Sequence, residues 1–442
     1  MYMNINSSIL SKFKLNTIFS NIKFIKPSPD ISKICNFYDK YQRSPFTPIK
    51  AYGPWLLTND GKIVYDVGGY GMLGFGHNPK WLLDTLSKPH VMANVMTQSY
   101  EQERICNLLD NKIGLNTKNP YGKYSFLNSG SEAMELTLRI IDNLNYVKNY
   151  ENIPSTTIVL KNGFHGRTFQ AASISDSSKS KYSNTICLNK NINCVPININ
   201  KKVDLYVTIE SILRDKQNIS TIVMEPVMGE GNPGISLHPS FYHHVRELSN
   251  KYNIPLVIDS VQAGIRANGC LSVVDYPGFA GMDGPDFEIF SKAISGGHYP
   301  LSVIAINKKY NDIDISGLYG NSMCANPKAL DVCFETLSRV DNDLLINIQN
   351  MGTLFKNMLI RLKYKYPSII KEVSGTGLLC AAHINNQIPV IGINSLEYRC
   401  RMAGLNVIHG GNNSLRFTPH FMITAEEINL VEFILDSLFT EV

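Results

Sequence analysis

Residues 285–297 read PDFEIFSKAISGG. An apolar run, Phe287 to Phe290, leads straight into Ser291-Lys292, and Gly296-Gly297 follow. This is the pattern of a short buried strand that ends in a lysine and then turns with little side-chain bulk. A lysine at the mouth of a buried strand is partly desolvated, which lowers its pKa and frees the amine as a nucleophile. Such an amine condenses with carbonyl compounds. A lone lysine after a core strand is ordinarily a surface group, so the rest of the chain decides between the two readings.

At 442 residues the chain exceeds one ordinary domain, and a large and a small domain are expected. Hydrophobic residues make up 44% and charged residues 18%, which suits a globular protein with a large core. The net charge of +5 is small for this length and comes without basic blocks, so nucleic acid is not expected as a partner. The nine cysteines form no CxxC pair and no metal-like spacing with histidine. They read as reduced core thiols in a reducing, cytoplasmic compartment, and no metal is expected. No apolar run reaches about 18 residues, so neither a transmembrane helix nor a membrane partner is expected. Residues 1–30 carry lysines, Ser and Asn, with no arginine and no acid before Asp30. Organelle leaders favour arginine, so this stretch reads as a disordered or docking arm rather than as a targeting segment.

Residues 51–66 read as a β-hairpin around Asn59-Asp60-Gly61, followed by a glycine-dense loop over 68–79. Residues 80–115 are helix-like with breaks. A helix starts at Ser131. Short apolar runs with β-branched residues then recur at 155–163, 220–227, 255–262, 285–292 and 301–307, with amphipathic segments such as 238–252 between some of them. Strand–helix alternation with near-continuous apolar strands predicts an α/β domain on a mostly parallel sheet. From about 328 the pattern changes to long helices over 328–364, then short strands and a final helix from Thr424. The expected division is an arm over 1–30, a first part of a small α+β domain over 31–75, a large domain over 76–327, and the rest of the small domain over 328–442.

Glu225, Asp259 and Lys292 each stand where an apolar strand runs out. In open α/β sheets the ligand crevice lies at the carboxyl ends of the strands, so one crevice receives two carboxylates and an amine. NSGSEA, 128–133, is a turn opening a helix. Ser129, Gly130 and Ser131 there suit a phosphate held by free N–H groups, although a plain capping box fits the same letters. In NGFHGRT, 162–168, Phe164 is a candidate to lie flat on a planar ring, with His165 in support. In DSVQ, 259–262, Asp259 can keep a pyridine nitrogen protonated, Val261 can pack on the opposite ring face and Gln262 can donate to a phenolate oxygen. Arg167 and Arg416 are candidate clamps for substrate carboxylates, and Glu225 can neutralise one of them when no acid is bound. An amine, a ring-nitrogen acid, a stacking segment and a phosphate cradle together suit pyridoxal 5′-phosphate.

The motifs GHNP (76–79), NSGSEA (128–133), FHGRT (164–168), MEPVMGEG (224–231), IDSVQAG (258–264), FSKAISGG (290–297), NP (326–327) and LRFTP (415–419) stand in the order of the class III aminotransferases. From about residue 50 onward the chain resembles that family. The resemblance implies the fold-type I architecture, a mostly parallel seven-stranded-type sheet with a smaller α+β domain. It implies Lys292 as Schiff-base lysine and proton shuttle, Asp259 at the ring nitrogen, Gln262 at the phenolic oxygen, Phe164 stacked, and Gly130 and Ser131 at the phosphate. GNSMCANP (320–327) is similar to the segment that reaches the partner subunit's phosphate. That likeness implies an obligate homodimer with shared active sites, and Ser322 stands there where threonine is usual. EPVMGEG and the arginine pair resemble the ornithine, acetylornithine and 4-aminobutyrate branch, and Tyr70 falls at a substrate-contacting tyrosine of the ornithine enzymes. Ser260 and Ala263 depart from the usual Glu and Thr, and CANP replaces a glycine-rich version. The implied activity is transfer of an amino group from an ω-amine or amino acid, ornithine- or acetylornithine-like, to a 2-oxo acid such as 2-oxoglutarate. A decarboxylase, an aminomutase and a non-catalytic cofactor-binding protein are the alternatives on the same scaffold.

Overall fold

Several of the apolar runs are buried along their whole length, which requires a sheet covered on both faces. The computed structural model describes residues 13, 15–19, 27–38, 40, 42–69, 71–92, 96–149, 156–182, 185, 193–197, 199, 205–215 and 218–441. Its strands are β1 (Pro48–Tyr52), β2 (Trp55–Thr58), β3 (Ile63–Asp66), β4 (Tyr121–Leu127), β5 (Thr156–Leu160), β6 (Asn193–Ile197), β7 (Ile219–Met224), β8 (Leu256–Asp259), β9 (Phe287–Phe290), β10 (Ser302–Asn307), β11 (Ile370–Thr376), β12 (Leu379–Ile384), β13 (Leu405–Asn406), β14 (Ile408–Gly410) and β15 (Ser414–Phe417).

Seven strands form the main sheet in the order β4-β10-β9-β8-β7-β5-β6. β5 to β9 run parallel, and β10 lies antiparallel to both of its neighbours, β4 and β9. Successive strand residues point to opposite faces. Val159, Val223, Val257, Phe287 and Ile289 pack with Ala133, Met134 and Ile141 of the helix Gly130–Asn149. Ile158, Ile222, Met224, Leu256 and Ile258 join Phe241, Val245 and Leu248 of the helix Pro239–Tyr252 on the other side.

The hairpin read around Asn59-Asp60-Gly61 is β2–β3, closed by Thr58 N–H donating to Lys62 O at 2.9 Å, with Gly61 at φ +82°. β1 extends it, and β13 joins β3 in parallel through Leu405–Tyr65 and Asn406–Asp66. A second antiparallel sheet runs β11-β12-β15-β14. The long helical stretch is two helices, Pro327–Ser338 and Asn342–Lys365, each capped by its preceding Asn326 or Asp341. The last helix, Ala425–Phe439, opens with a Thr424/Glu427 capping box. β6 contains Pro196 and, among the described residues, pairs only with β5, so the missing N–H of proline falls on a sheet edge. No helix among the described residues is long and apolar enough to cross a membrane.

Period-two alternation turns Glu288 of β9 away from Phe287 and Ile289, into the layer that holds Tyr121. There its carboxylate accepts from Tyr121 Oη at 2.5 Å, Ser260 Oγ at 2.6 Å, Val273 N–H at 2.9 Å and Ser272 Oγ. Ser260 N–H in turn donates to Ile289 O at 2.9 Å, which locks the residue after Asp259 to β9. Glu288→Ala strands three hydroxyls and an amide, so denaturant unfolding should show a loss of about 3 kcal/mol.

Candidate active site

β4, β5, β7, β8 and β9 all deliver their carboxyl ends to one edge, and a cavity of about 380 Å³ opens there. Lys292 follows β9, Asp259 ends β8, Glu225 follows β7, Phe164 and His165 follow β5, and Ser129 to Ser131 follow β4. All of them line the cavity.

Lys292 has a left-handed backbone, φ +52°. Its Nζ donates to Gln262 Oε1 at 2.7 Å. One flank of the side chain borders the open cavity, yet the amine itself is enclosed by protein. Burial, assisted by the positive charge of Arg416, lowers its pKa to about 8, against the opposing pull of Glu230, Asp259 and Glu225.

Asp259 is kept from Lys292 by partners of its own. Its Oδ2 meets His165 Nδ1 at 2.9 Å, and its Oδ1 accepts from Val261 N–H at 3.1 Å. His165 is fully enclosed. Burial alone would lower its pKa, but the hydrogen bond and charge of Asp259, with the charge of Glu225, raise it overall. Burial pushes the Glu225 carboxyl up to about 7. That carboxylate accepts from Phe164 N–H at 3.1 Å and Gly229 N–H at 2.7 Å.

At the start of the helix Gly130–Asn149, Ser129 Oγ accepts from Glu132 N–H at 3.3 Å, the contact that the capping reading expects. Ser131 Oγ accepts from Arg167 N–H at 3.1 Å. Gly166, at φ +128°, leaves room for this contact, since a Cβ there would lie 2.6 Å from Ser131 Oγ. A Cβ on Gly130 would meet Val261 at 2.8 Å, so only bare backbone fits between that helix start and Val261.

Phe164 and Val261 line the same cavity. Arg416 of β15 is buried, and its Nη1 donates to Gly229 O at 3.3 Å and Gln262 Oε1 at 3.5 Å. Arg167 is exposed and stands outside the cavity lining. The acid beside it is Glu230, at 3.8 Å, rather than Glu225, whose oxygens take the two backbone amides. Ser322 is exposed and does not line this cavity. Tyr70 lies outside the described residues. Sequence reasoning did not single out Glu230, Met72, Ser295 or His298, which also line the cavity. Glu230 lay inside the quoted MEPVMGEG, and His298 directly follows the glycine pair. It also missed Arg266, fully buried, whose Nε donates to Gly71 O at 3.4 Å and whose Nη1 donates to Pro419 O. Burial, with Arg416 nearby, lowers the pKa of Arg266 to about 9.

A profile of the aminotransferase class-III family matches residues 37–438. The chain belongs to the class III aminotransferases. It is 27% identical over 416 residues to ornithine aminotransferase of Plasmodium falciparum, an alignment covering 92% of this chain and 95% of that protein. It is 26% identical over 412 residues to ornithine aminotransferase 2 of Staphylococcus aureus, covering 91% and 97%. The crystal structure of ornithine aminotransferase from Toxoplasma gondii ME49 superposes with a TM-score of 0.77 at 23% identity, covering 97% of this chain and 94% of that one. Taurine:2-oxoglutarate aminotransferase from Bifidobacterium kashiwanohense, solved with pyridoxal phosphate and glutamate, gives a TM-score of 0.77 at 19% identity, covering 90% and 93%. These likenesses show the fold-type I architecture.

This class III aminotransferase is a transaminase dependent on pyridoxal phosphate. The cavity suits that cofactor on its own evidence. Gln262 Nε2 is buried without a hydrogen-bond partner among the described residues, a donor available for an oxygen of a bound group. A helix start and an amine both line it. Attachment of an aldehyde at Lys292 would require its neutral amine. Uptake of pyridoxal phosphate by the apoenzyme should therefore accelerate as pH rises through about 8 and level off above it. Stopped-flow absorbance checks this, and Arg416→Gln, which removes a cation that lowers the lysine pKa, should move the midpoint upward.

Proposed function

We propose that this aminotransferase takes the terminal amino group of an ornithine- or acetylornithine-like donor and passes it to a 2-oxo acid, 2-oxoglutarate being the first candidate. The observation that carries the reading is the Lys292 amine, 2.7 Å from Gln262 Oε1, in a cavity that also presents Asp259 and a helix start. The names of the relatives favour an ornithine-like donor.

When bound, pyridoxal phosphate supplies an aldehyde and an electron-withdrawing ring. Lys292 Nζ holds that aldehyde, then accepts and returns the proton of the amine-bearing carbon. Asp259, oriented by His165, keeps a negative charge at the ring nitrogen. Phe164 and Val261 pack on the two ring faces, and Gln262 Nε2 donates to the phenolic oxygen. Ser129, Gly130 and Ser131 hold the phosphate. Glu225 supplies a second carboxyl beside His165. Arg416 clamps a carboxylate of the acceptor, and Arg167 at the rim serves a second carboxylate. Tyr70 contacts substrate. Ser322 reaches the phosphate of a partner subunit, which makes the working unit a homodimer. Residues 31–75 and 328–442 form the small domain, a reading supported by the β3–β13 pairing. The free cysteines suit a cytoplasmic location.

Incubation of the cofactor-loaded enzyme with ornithine and 2-oxoglutarate should produce glutamate. Lys292→Ala should lower that rate by roughly 10³-fold. Carbon dioxide release without glutamate, or full activity of the variant, would overturn the proposal.

A further inference from the structure

The positive φ of Lys292, +52°, is a conformation that a residue with a side chain keeps only where its surroundings enforce it. The enforcing contacts lie in the turn that follows. Ser295 Oγ donates to Lys292 O at 3.3 Å, and His298 N–H donates to Ser295 O at 3.2 Å. The His298 ring then leaves the turn. Its Nδ1 meets Gly296 O at 2.8 Å, and its Nε2 accepts from Asn78 N–H at 3.0 Å. A carbonyl only accepts and an amide N–H only donates, so the proton of the neutral ring sits on Nδ1. Burial lowers the pKa of His298, opposed by the Gly296 contact and helped by the charge of His77, which favours that neutral ring.

The far end of this link is anchored in turn. Asn78 also has φ +52°, and its Nδ2 donates to Ala51 O of β1 at 3.0 Å. His77 beside it exchanges backbone hydrogen bonds with Gly53 at 2.7 and 2.8 Å and meets Asp66 Oδ2 at 2.9 Å. The two loops also touch directly, since a Cβ on Gly297 would lie 2.8 Å from the backbone of Met72. Met72, Ser295, Gly297 and His298 line the active-site cavity together with Lys292. Both nitrogens of His298 are committed to backbone groups, so the ring is built to hold rather than to exchange a proton. An apolar side chain in its place would leave Asn78 N–H without its acceptor.

We propose that His298 is a positioning residue, which fastens the turn carrying Lys292 to the loop 76–79 through its Nε2 and so keeps the lysine in its working place. It acts through Lys292. The inference rests on Lys292 as the lysine that holds pyridoxal phosphate.

Three variants separate the contacts. His298→Gln places an amide oxygen where Nε2 stands. His298→Asn keeps a polar group only near Nδ1, and His298→Leu keeps neither. Hydrogen exchange of the apoenzyme, read by mass spectrometry, should quicken about tenfold in the peptides spanning 76–80 and 292–298 for the Asn and Leu variants, and stay slow for the Gln variant. Attachment of pyridoxal phosphate to the apoenzyme, followed by absorbance, should show a maximal rate about tenfold lower in the same two variants. The cofactor concentration that gives half the maximal rate should not change, because the helix start at Gly130 is untouched. His298→Gln and His298→Asn carry the comparison if His298→Leu does not fold. Exchange and attachment in His298→Asn equal to those of the unaltered enzyme, or a slower attachment in His298→Gln than in His298→Asn, would overturn this inference alone. Attachment of the cofactor to a lysine other than Lys292 would overturn the proposed function with it.

Discussion

An amine held inside a protein resists taking a charge unless an acid pairs with it. The structure keeps Lys292 in that condition. Its nearest partner is the neutral carbonyl of Gln262. Asp259 lines the same cavity, but its two oxygens are occupied by His165 and by the Val261 amide. A direct Lys292–Asp259 ion pair would hold the amine protonated. With Gln262 as its hydrogen-bond partner, burial and the charge of Arg416 bring the amine down to about 8, although Asp259 still pulls the other way.

That separation depends on the sheet. Parallel strands bring their carboxyl ends to one edge, so residues far apart in sequence face one cavity. The reversed strand β10 costs nothing in this respect, because it enters the edge from the loop after Lys292. Glu288, four residues before Lys292, ties Ser260 to β9 and so fixes the strand end that carries Asp259. Around it the acids are arranged in a graded way. Glu225, forced up to about 7 by burial, sits against two amides and near His165, while His165 is drawn toward its charged form by Asp259.

Much of the fold was readable from apolar runs. The runs read at 155–163, 220–227, 255–262, 285–292 and 301–307 correspond to the shorter strands β5, β7, β8, β9 and β10, and the caps at Asn326, Asp341 and Thr424 lie where the helical pattern restarts. β6 escaped because Pro196 breaks the usual strand composition, and only its place at the edge permits it. The cavity lining was readable where it coincides with a strand end, as at Glu225, Asp259 and Lys292. It was not readable where a side chain arrives from a distant turn or a partner decides its state. Arg266 and Glu288 look like ordinary charged residues in sequence, and only packing reveals that both are fully buried. Arg167 and Arg416 look alike as letters, yet one is at the surface and the other is enclosed.

The most direct measurement is borohydride reduction of the enzyme loaded with pyridoxal phosphate, followed by proteolysis and mass spectrometry. The pyridoxyl mass should reside on the peptide that carries Lys292. Its attachment to a different lysine, or the absence of any labelled peptide, would contradict the assignment of Lys292 as the residue that holds the cofactor.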